Sequence, residues 1–265
     1  MAALPLKFPP IWREGLIGLE AATLLRSDVY RGVGVERGDG QPVLLIPGFL
    51  AGDDSLAMMT HWLRRSGRHT RKAGMRFNVN CSSAALELLA ERVECLAEAC
   101  GERVAIIGQS RGGHFAKVLA VRYPEFVSGI VTLGSPQCDP FAVHPLVHAQ
   151  IMAMGTLGTL GVRGLFGHRC RWGNCCTRFW EDLQKPVPAE VPYLSIYSRK
   201  DGIVDWHACL DPSAEHLEIP TSHCGMAVHP RSWEAVAAAL TDFRRRDFGP
   251  DGERVPVPVR AAEAA

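Results

Sequence analysis

The chain has 265 residues, 47% of them hydrophobic and 22% charged, with a formal net charge of +1. This is ordinary globular composition with enough chain for one large α/β domain, and so small a net charge excludes a nucleic-acid or membrane-surface protein driven by bulk charge. No apolar run approaches ~18 residues, so no membrane-spanning helix and no stable membrane insertion are expected, and the start, Met1 to Pro10, lacks the basic-then-apolar pattern of a signal peptide, which predicts a cytoplasmic location.

Residues 1–40 read as a lead-in, with a helical stretch from Ile11 to Leu25 that puts Ile17, Ala21, Leu24 and Leu25 near one face. Val43 to Ile46 is a continuous apolar run, the pattern of a strand buried on both faces. A loop from Pro47 to Gly52 leads to a helix carrying Leu56, Met59 and Leu63. Thr70 to Val79 is a weaker strand candidate, and Ser83 to Cys100 is an amphipathic helix on the spacing of Leu86, Leu89, Val93 and Leu96. Further strands are predicted at Val104 to Ile107, Val127 to Leu133, Val191 to Tyr197 and Ala214 to Ile219. A helix follows Ser110 to about Arg122, and Trp233 to Phe243 is a closing helix. Strands alternating with helices predict the α/β class, a mostly parallel sheet with helices on both faces.

Between Pro136 and Pro192 the alternation stops. Residues 137–190 read as a lid or cap insertion, with helices packed permanently on the sheet as the alternative. Residues 1–245 are expected to form one domain, and the Pro-, Ala- and charge-rich stretch 246–265 a disordered tail.

Nine cysteines is an odd count, so at least one lacks an internal disulfide partner. Cys81, Cys95, Cys100 and Cys138 lie in or beside apolar segments and read as small buried hydrophobes. His168, Cys170, Cys175 and Cys176 cluster in sequence without paired C-x-x-C spacing, so packing or a local disulfide is expected there rather than a metal. No metal or organic cofactor is expected.

Chemistry concentrates in Val104 to Gly113, where an apolar strand leads through Gly108-Gln109-Ser110-Arg111-Gly112 into a helix. A bare Gly-x-Ser-x-Gly is weak evidence, but strand, turn and helix together are the context in which a serine is presented as a nucleophile. Such a serine needs a base and an orienting acid. In one recurrent arrangement the acid and then the histidine follow the serine along the chain. His223, just past the last strand in Thr221-Ser222-His223-Cys224-Gly225, is the candidate base, with His229 as the alternative. Asp201, the first carboxylate beyond the strand ending at Tyr197, is the candidate acid; Asp205 competes, its other reading being a cap for the segment starting at Trp206. Two backbone N–H groups must receive the oxyanion. They are assigned to Arg111, the residue after the nucleophile, and to Phe49 in the loop after the first clear strand, with Leu50 as the alternative.

The segments Ile46-Pro47-Gly48-Phe49, Gly108-Gln109-Ser110-Arg111-Gly112-Gly113, Ser198-Arg199-Lys200-Asp201-Gly202-Ile203-Val204 and Ser222-His223-Cys224-Gly225-Met226 resemble the α/β-hydrolase superfamily, particularly its lipase/esterase branch. They span residues 43 to 245. Many lipases have His-Gly in the oxyanion loop where this chain has Pro47-Gly48, a tolerable departure because the donor is a backbone amide. The resemblance implies hydrolysis of a small-molecule ester or lipid through an acyl-enzyme. An acyltransferase or thioesterase on the same three residues is the alternative, and a non-catalytic ligand-binding member of the fold the alternative of another class. If the acid and histidine loops converge, Cys209 and Cys224 are candidates for a disulfide between them.

Overall fold

Alternate residues of the central strands point to opposite faces of the sheet, and both sets are buried, as a parallel sheet covered on two sides requires. The computed structural model describes residues 8–248 and 255–258. Its strands are Pro42–Ile46 (β1), His69–Lys72 (β2), Val104–Gln109 (β3), Val127–Leu133 (β4), Tyr193–Tyr197 (β5) and Glu215–Glu218 (β6). They form one six-stranded sheet in the order β2-β1-β3-β4-β5-β6, every neighbouring pair parallel.

The helices are Ile17–Leu25 (α1), Asp28–Arg31 (α2), Ala57–Arg65 (α3), Ser82–Cys100 (α4), Arg111–Arg122 (α5), Pro145–Thr159 (α6), Arg169–Trp172 (α7), Thr177–Gln184 (α8) and Pro230–Arg246 (α9). Leu44, Ile46, Ile106 and Ile130 pack against Leu89 of α4, Phe115 of α5 and Phe179 of α8. Val43, Leu45, Ile107 and Val131 pack on the other face against Leu24 of α1, Trp62 of α3 and Trp233 of α9. Each such side chain stabilises the fold by about 1.5–3 kcal/mol when fully buried. The Trp62 and Trp233 rings lie 4.6 Å apart and anchor the second layer.

The sheet edges are polar. In β2 only Thr70 is buried, and the chain leaves the sheet after Lys72. The strand predicted over Thr70 to Val79 is therefore shorter. Its second half turns under the β1 loop, where the Asn78 amide donates to the Pro47 carbonyl at 2.8 Å. Of the apolar face predicted for the first helix only Leu24 is buried, while Ile17 is 40% and Leu25 48% exposed.

The insertion between β4 and β5 divides into two parts. Phe179 and Leu183 of α8 are core residues, with the Phe179 ring 5.4 Å from Phe115. Helix α6 buries only Gly155 and leaves Leu146 and Leu157 exposed. Helix α9 runs to Arg246, and the following Asp247 accepts from Arg103 Nε at 2.8 Å. The Val255 N–H donates to the Asp247 carbonyl at 2.8 Å, and Val257 packs on the core. The rest of the expected tail, 249–254 and 259–265, lies outside the described residues.

All nine cysteines are unbridged. Cys95 and Cys138 are exposed and Cys81 and Cys100 half-buried, which corrects the reading of these four as buried hydrophobes. The candidate Cys209–Cys224 disulfide is not formed. Cys209 is held beneath β5, its carbonyl accepting from Ser195 Oγ at 2.8 Å, whereas the Cys224 backbone is drawn outward to Glu14 at 2.9 Å.

Candidate active site

Ser110 sits at the junction of β3 and α5 with φ 51° and ψ −121°. A non-glycine residue in that region costs of order 1–3 kcal/mol and persists only where its surroundings enforce it. The enforcement is close packing. A Cβ on Gly108 would lie 2.5 Å from the Gly112 carbonyl oxygen, so strand and helix meet with no room for a side chain. The Ser110 N–H donates to the Leu133 carbonyl at 2.8 Å. Arg111 opens α5, and its N–H belongs to the first turn, whose donors have no acceptor within the helix. Its guanidinium turns away from the serine to the Asn78 and Asn80 carbonyls, each 2.7 Å away.

The loop after β1 lies directly against this serine. A Cβ on Gly48 would stand 3.2 Å from Ser110 Cβ, so glycine sets the distance of approach. Leu50 is strained too, with φ 58°. Phe49, Leu50, Ser110 and Arg111 border one cavity of about 370 Å³. Its wall is mostly apolar, with Phe141, Val147, Ile151, Met152, Phe166 and Trp180 prominent. Helix α6 thus turns Ile151, Met152 and Gly155 inward, while Leu160 and Val162 beyond it face solvent.

His223 borders the same cavity from the loop after β6. Its Nδ1 lies 2.6 Å from Asp201 Oδ2, and both side chains are buried. The other Asp201 oxygen accepts the N–H groups of Ile203 at 2.8 Å and Val204 at 2.7 Å, which locks the carboxylate in place. With Nδ1–H directed at the carboxylate, Nε2 is the free acceptor. Burial disfavours the imidazolium, but the Asp201 charge, its hydrogen bond and the more distant Glu14 outweigh it and raise the His223 pKa above its ordinary value. Ser110 and His223 border the same cavity and are not hydrogen-bonded to each other.

The competing residues are occupied elsewhere. Asp205 caps the turn Trp206–Cys209, accepting from the His207 backbone at 3.0 Å. His229 caps α9, its Nδ1 accepting from the Arg231 N–H at 3.2 Å. His114 reaches the cavity, but burial, and then the neighbouring Arg111, push its pKa down to about 3, too weak a base near neutrality.

Two residues at the site were not singled out from the sequence. Glu14 Oε1 accepts from the Gly202 and His223 N–H groups, each at 3.0 Å, and Oε2 from the Cys224 N–H at 2.9 Å. Glu20 Oε1 accepts from Thr221 Oγ1 at 2.6 Å and Oε2 from Ser222 Oγ at 2.7 Å. The supposed lead-in therefore clamps the acid and histidine loops from outside. The cysteine cluster also differs from expectation. His168 bonds Thr156 Oγ1 at 3.1 Å, and its place beside Cys170, Cys175 and Cys176 is taken by Cys81.

No protein-family model matches the chain, and no curated protein matches it. Solved structures do. The study of LipS and LipT, two metagenome-derived lipolytic enzymes, provides one with TM-score 0.57 at 16% identity, covering 80% of this chain and 96% of that one. The metagenomic carboxyl esterase MGS0156 gives TM-score 0.59 at 15% identity over 80% and 77%. A soluble variant of monoglyceride lipase from Saccharomyces cerevisiae, crystallised with a substrate analogue, gives 0.55 at 14% over 80% and 90%. No helix among the described residues is long and apolar enough to cross a membrane. In its parallel sheet, its flanking helices and these likenesses, the chain has the α/β-hydrolase fold that lipases and esterases share.

Proposed function

We propose that the protein is a serine hydrolase that cleaves carboxylic esters with apolar acyl groups. The observation that carries this reading is the buried His223–Asp201 pair, 2.6 Å apart, on the same apolar cavity as a backbone-strained Ser110. Ser110 Oγ attacks the ester carbonyl carbon while His223 Nε2 takes its proton. The N–H groups of Phe49 and Arg111 receive the oxyanion. His223 then returns the proton to the departing alcohol, leaving an acyl group on Ser110. Water, deprotonated by the same nitrogen, releases the acid and restores the serine. Asp201 holds the ring and stabilises its cationic form without taking the proton itself.

The cavity wall supplied by α6 and Phe166 is the proposed seat of the acyl chain, with α6 as its cover. Each buried methylene contributes up to about 0.8 kcal/mol. In a p-nitrophenyl ester series kcat/KM should therefore rise from acetate towards octanoate, by up to about fourfold per methylene. A steady fall along the series would remove the acyl-pocket assignment.

The Glu14 clamp makes a separate prediction. Glu14→Ala strands three backbone N–H groups of the acid and histidine loops. It should lower kcat on the order of tenfold to a hundredfold through misplacement of His223, with little change in KM. Glu14→Gln should shift the acid limb of the kcat/KM profile. His223 works as the neutral base, so activity is lost as pH falls through its raised pKa. Removing the Glu14 charge lowers that pKa and extends activity to lower pH. An acid limb that does not move would assign Glu14 a purely structural role.

A further inference from the structure

We propose that Cys81, Cys170, Cys175 and Cys176 bind one zinc ion as four thiolates, clipping the insertion between β4 and β5 to the start of α4. The ligands come from separate parts of the chain. Cys81 is the residue before α4, Cys170 lies in α7, and Cys175 and Cys176 lie in the turn Asn174–Cys176. Their four sulfurs all lie within 4.8 Å of one another. Cys81 Sγ is 3.3 Å from Cys175 Sγ and 3.5 Å from Cys176 Sγ, and Cys175 Sγ is 3.9 Å from Cys170 Sγ and 4.0 Å from Cys176 Sγ. A tetrahedron with Zn–S bonds of about 2.3 Å has edges of about 3.8 Å. The observed edges bracket that value and are far longer than the about 2.05 Å of a disulfide.

The donor set and its surroundings favour this ion. Four soft sulfurs without a carboxylate or imidazole select a thiophilic metal, and a closed set of four is the pattern of a structural zinc site rather than a catalytic one. The Ser83 hydroxyl, at the first turn of α4, donates to the Cys175 carbonyl at 3.0 Å and ties the turn that carries two of the sulfurs to the segment that carries Cys81.

A second observation is the half-buried Arg111 guanidinium. Its hydrogen-bond acceptors are all neutral: the Asn78, Asn80 and Ser82 groups that flank Cys81. No carboxylate pairs with it among the described residues. A partly desolvated cation is stabilised by a nearby counter-charge. Zinc with four thiolates carries a net charge of −2 and supplies it. Through Arg111 the site adjoins the Ser110 elbow, and Cys170 also borders the cavity. Zinc binds cysteine as thiolate, so loading the site releases the thiol protons to solvent.

The test does not depend on the catalytic reading. Untagged full-length protein, purified in reductant without chelator, should carry one zinc per chain by mass spectrometry of its metals. Cys81→Ser and Cys176→Ser should lower that content at least tenfold, whereas Cys95→Ser, on the exposed side of α4, should keep it. Since a variant that fails to fold would also lose metal, the wild-type protein supplies a second readout. Stripped of zinc and refilled with Co²⁺, it should show sulfur-to-cobalt charge transfer and the intense visible bands of a tetrahedral tetrathiolate. Wild-type protein with less than a tenth of a zinc per chain and no such cobalt spectrum would overturn the proposal. So would non-reducing peptide mapping that finds a disulfide between any two of the four cysteines.

Discussion

Ser110→Ala is expected to abolish ester hydrolysis while leaving the protein folded. Losing the nucleophile of a serine triad costs on the order of 10⁶ in kcat, and the remaining oxyanion donors and cavity retain only a small residual acceleration. Folding should survive because alanine keeps the Cβ, and the serine hydroxyl makes no hydrogen bond to another described residue. The strain at φ 51° belongs to the backbone and is unchanged by the substitution. Unfolding free energy should stay within about 0.5 kcal/mol of wild type. Turnover by the pure variant at a tenth of the wild-type rate or more would remove Ser110 from the chemistry.

Asp201→Asn should be the next most damaging change, at about 10⁴-fold in kcat. An amide in place of the carboxylate can present its NH₂ to Nδ1, which places the imidazole proton on Nε2, where the lone pair is needed. It also removes the largest support for the imidazolium, so the His223 pKa should fall. Asp205→Asn should cost far less, because that carboxylate serves the turn at Trp206 and the exposed His207. Comparing kcat for the two variants decides the matter: if Asp205→Asn proves the more damaging, the acid is Asp205.

The sheet was legible because strands buried on both faces leave continuous apolar runs, as Val43 to Ile46 and Val104 to Ile107 do. The polar edge strand β2 left no such run, and its far boundary was misplaced. The elbow was legible because a strand, a strained turn and a helix follow one another without a break from Val104 to Arg122. Features assembled across the chain were not legible. Glu14 and Glu20 gain their meaning only where the turn Ile11–Leu16 and α1 meet the turn Cys224–Val228. Cys81 joins Cys170, Cys175 and Cys176 through folding alone, so spacing within the downstream trio could not reveal the fourth sulfur. The insertion reads as one unit in sequence, whereas α8 completes the core beside α5 and the cavity takes its lining from α6, from Cys170 and Arg171 of α7 and from Trp180 of α8.

The most direct measurement is labelling by a fluorophosphonate probe, whose electrophilic phosphorus reports an activated serine without needing the natural substrate. Intact mass should show one adduct per chain, and peptide mapping should place it on Ser110. Labelling should vanish in Ser110→Ala and slow severely in Asp201→Asn. Folded wild-type protein that takes up no probe, or takes it up at another residue, would contradict the assignment of Ser110 as an activated nucleophile.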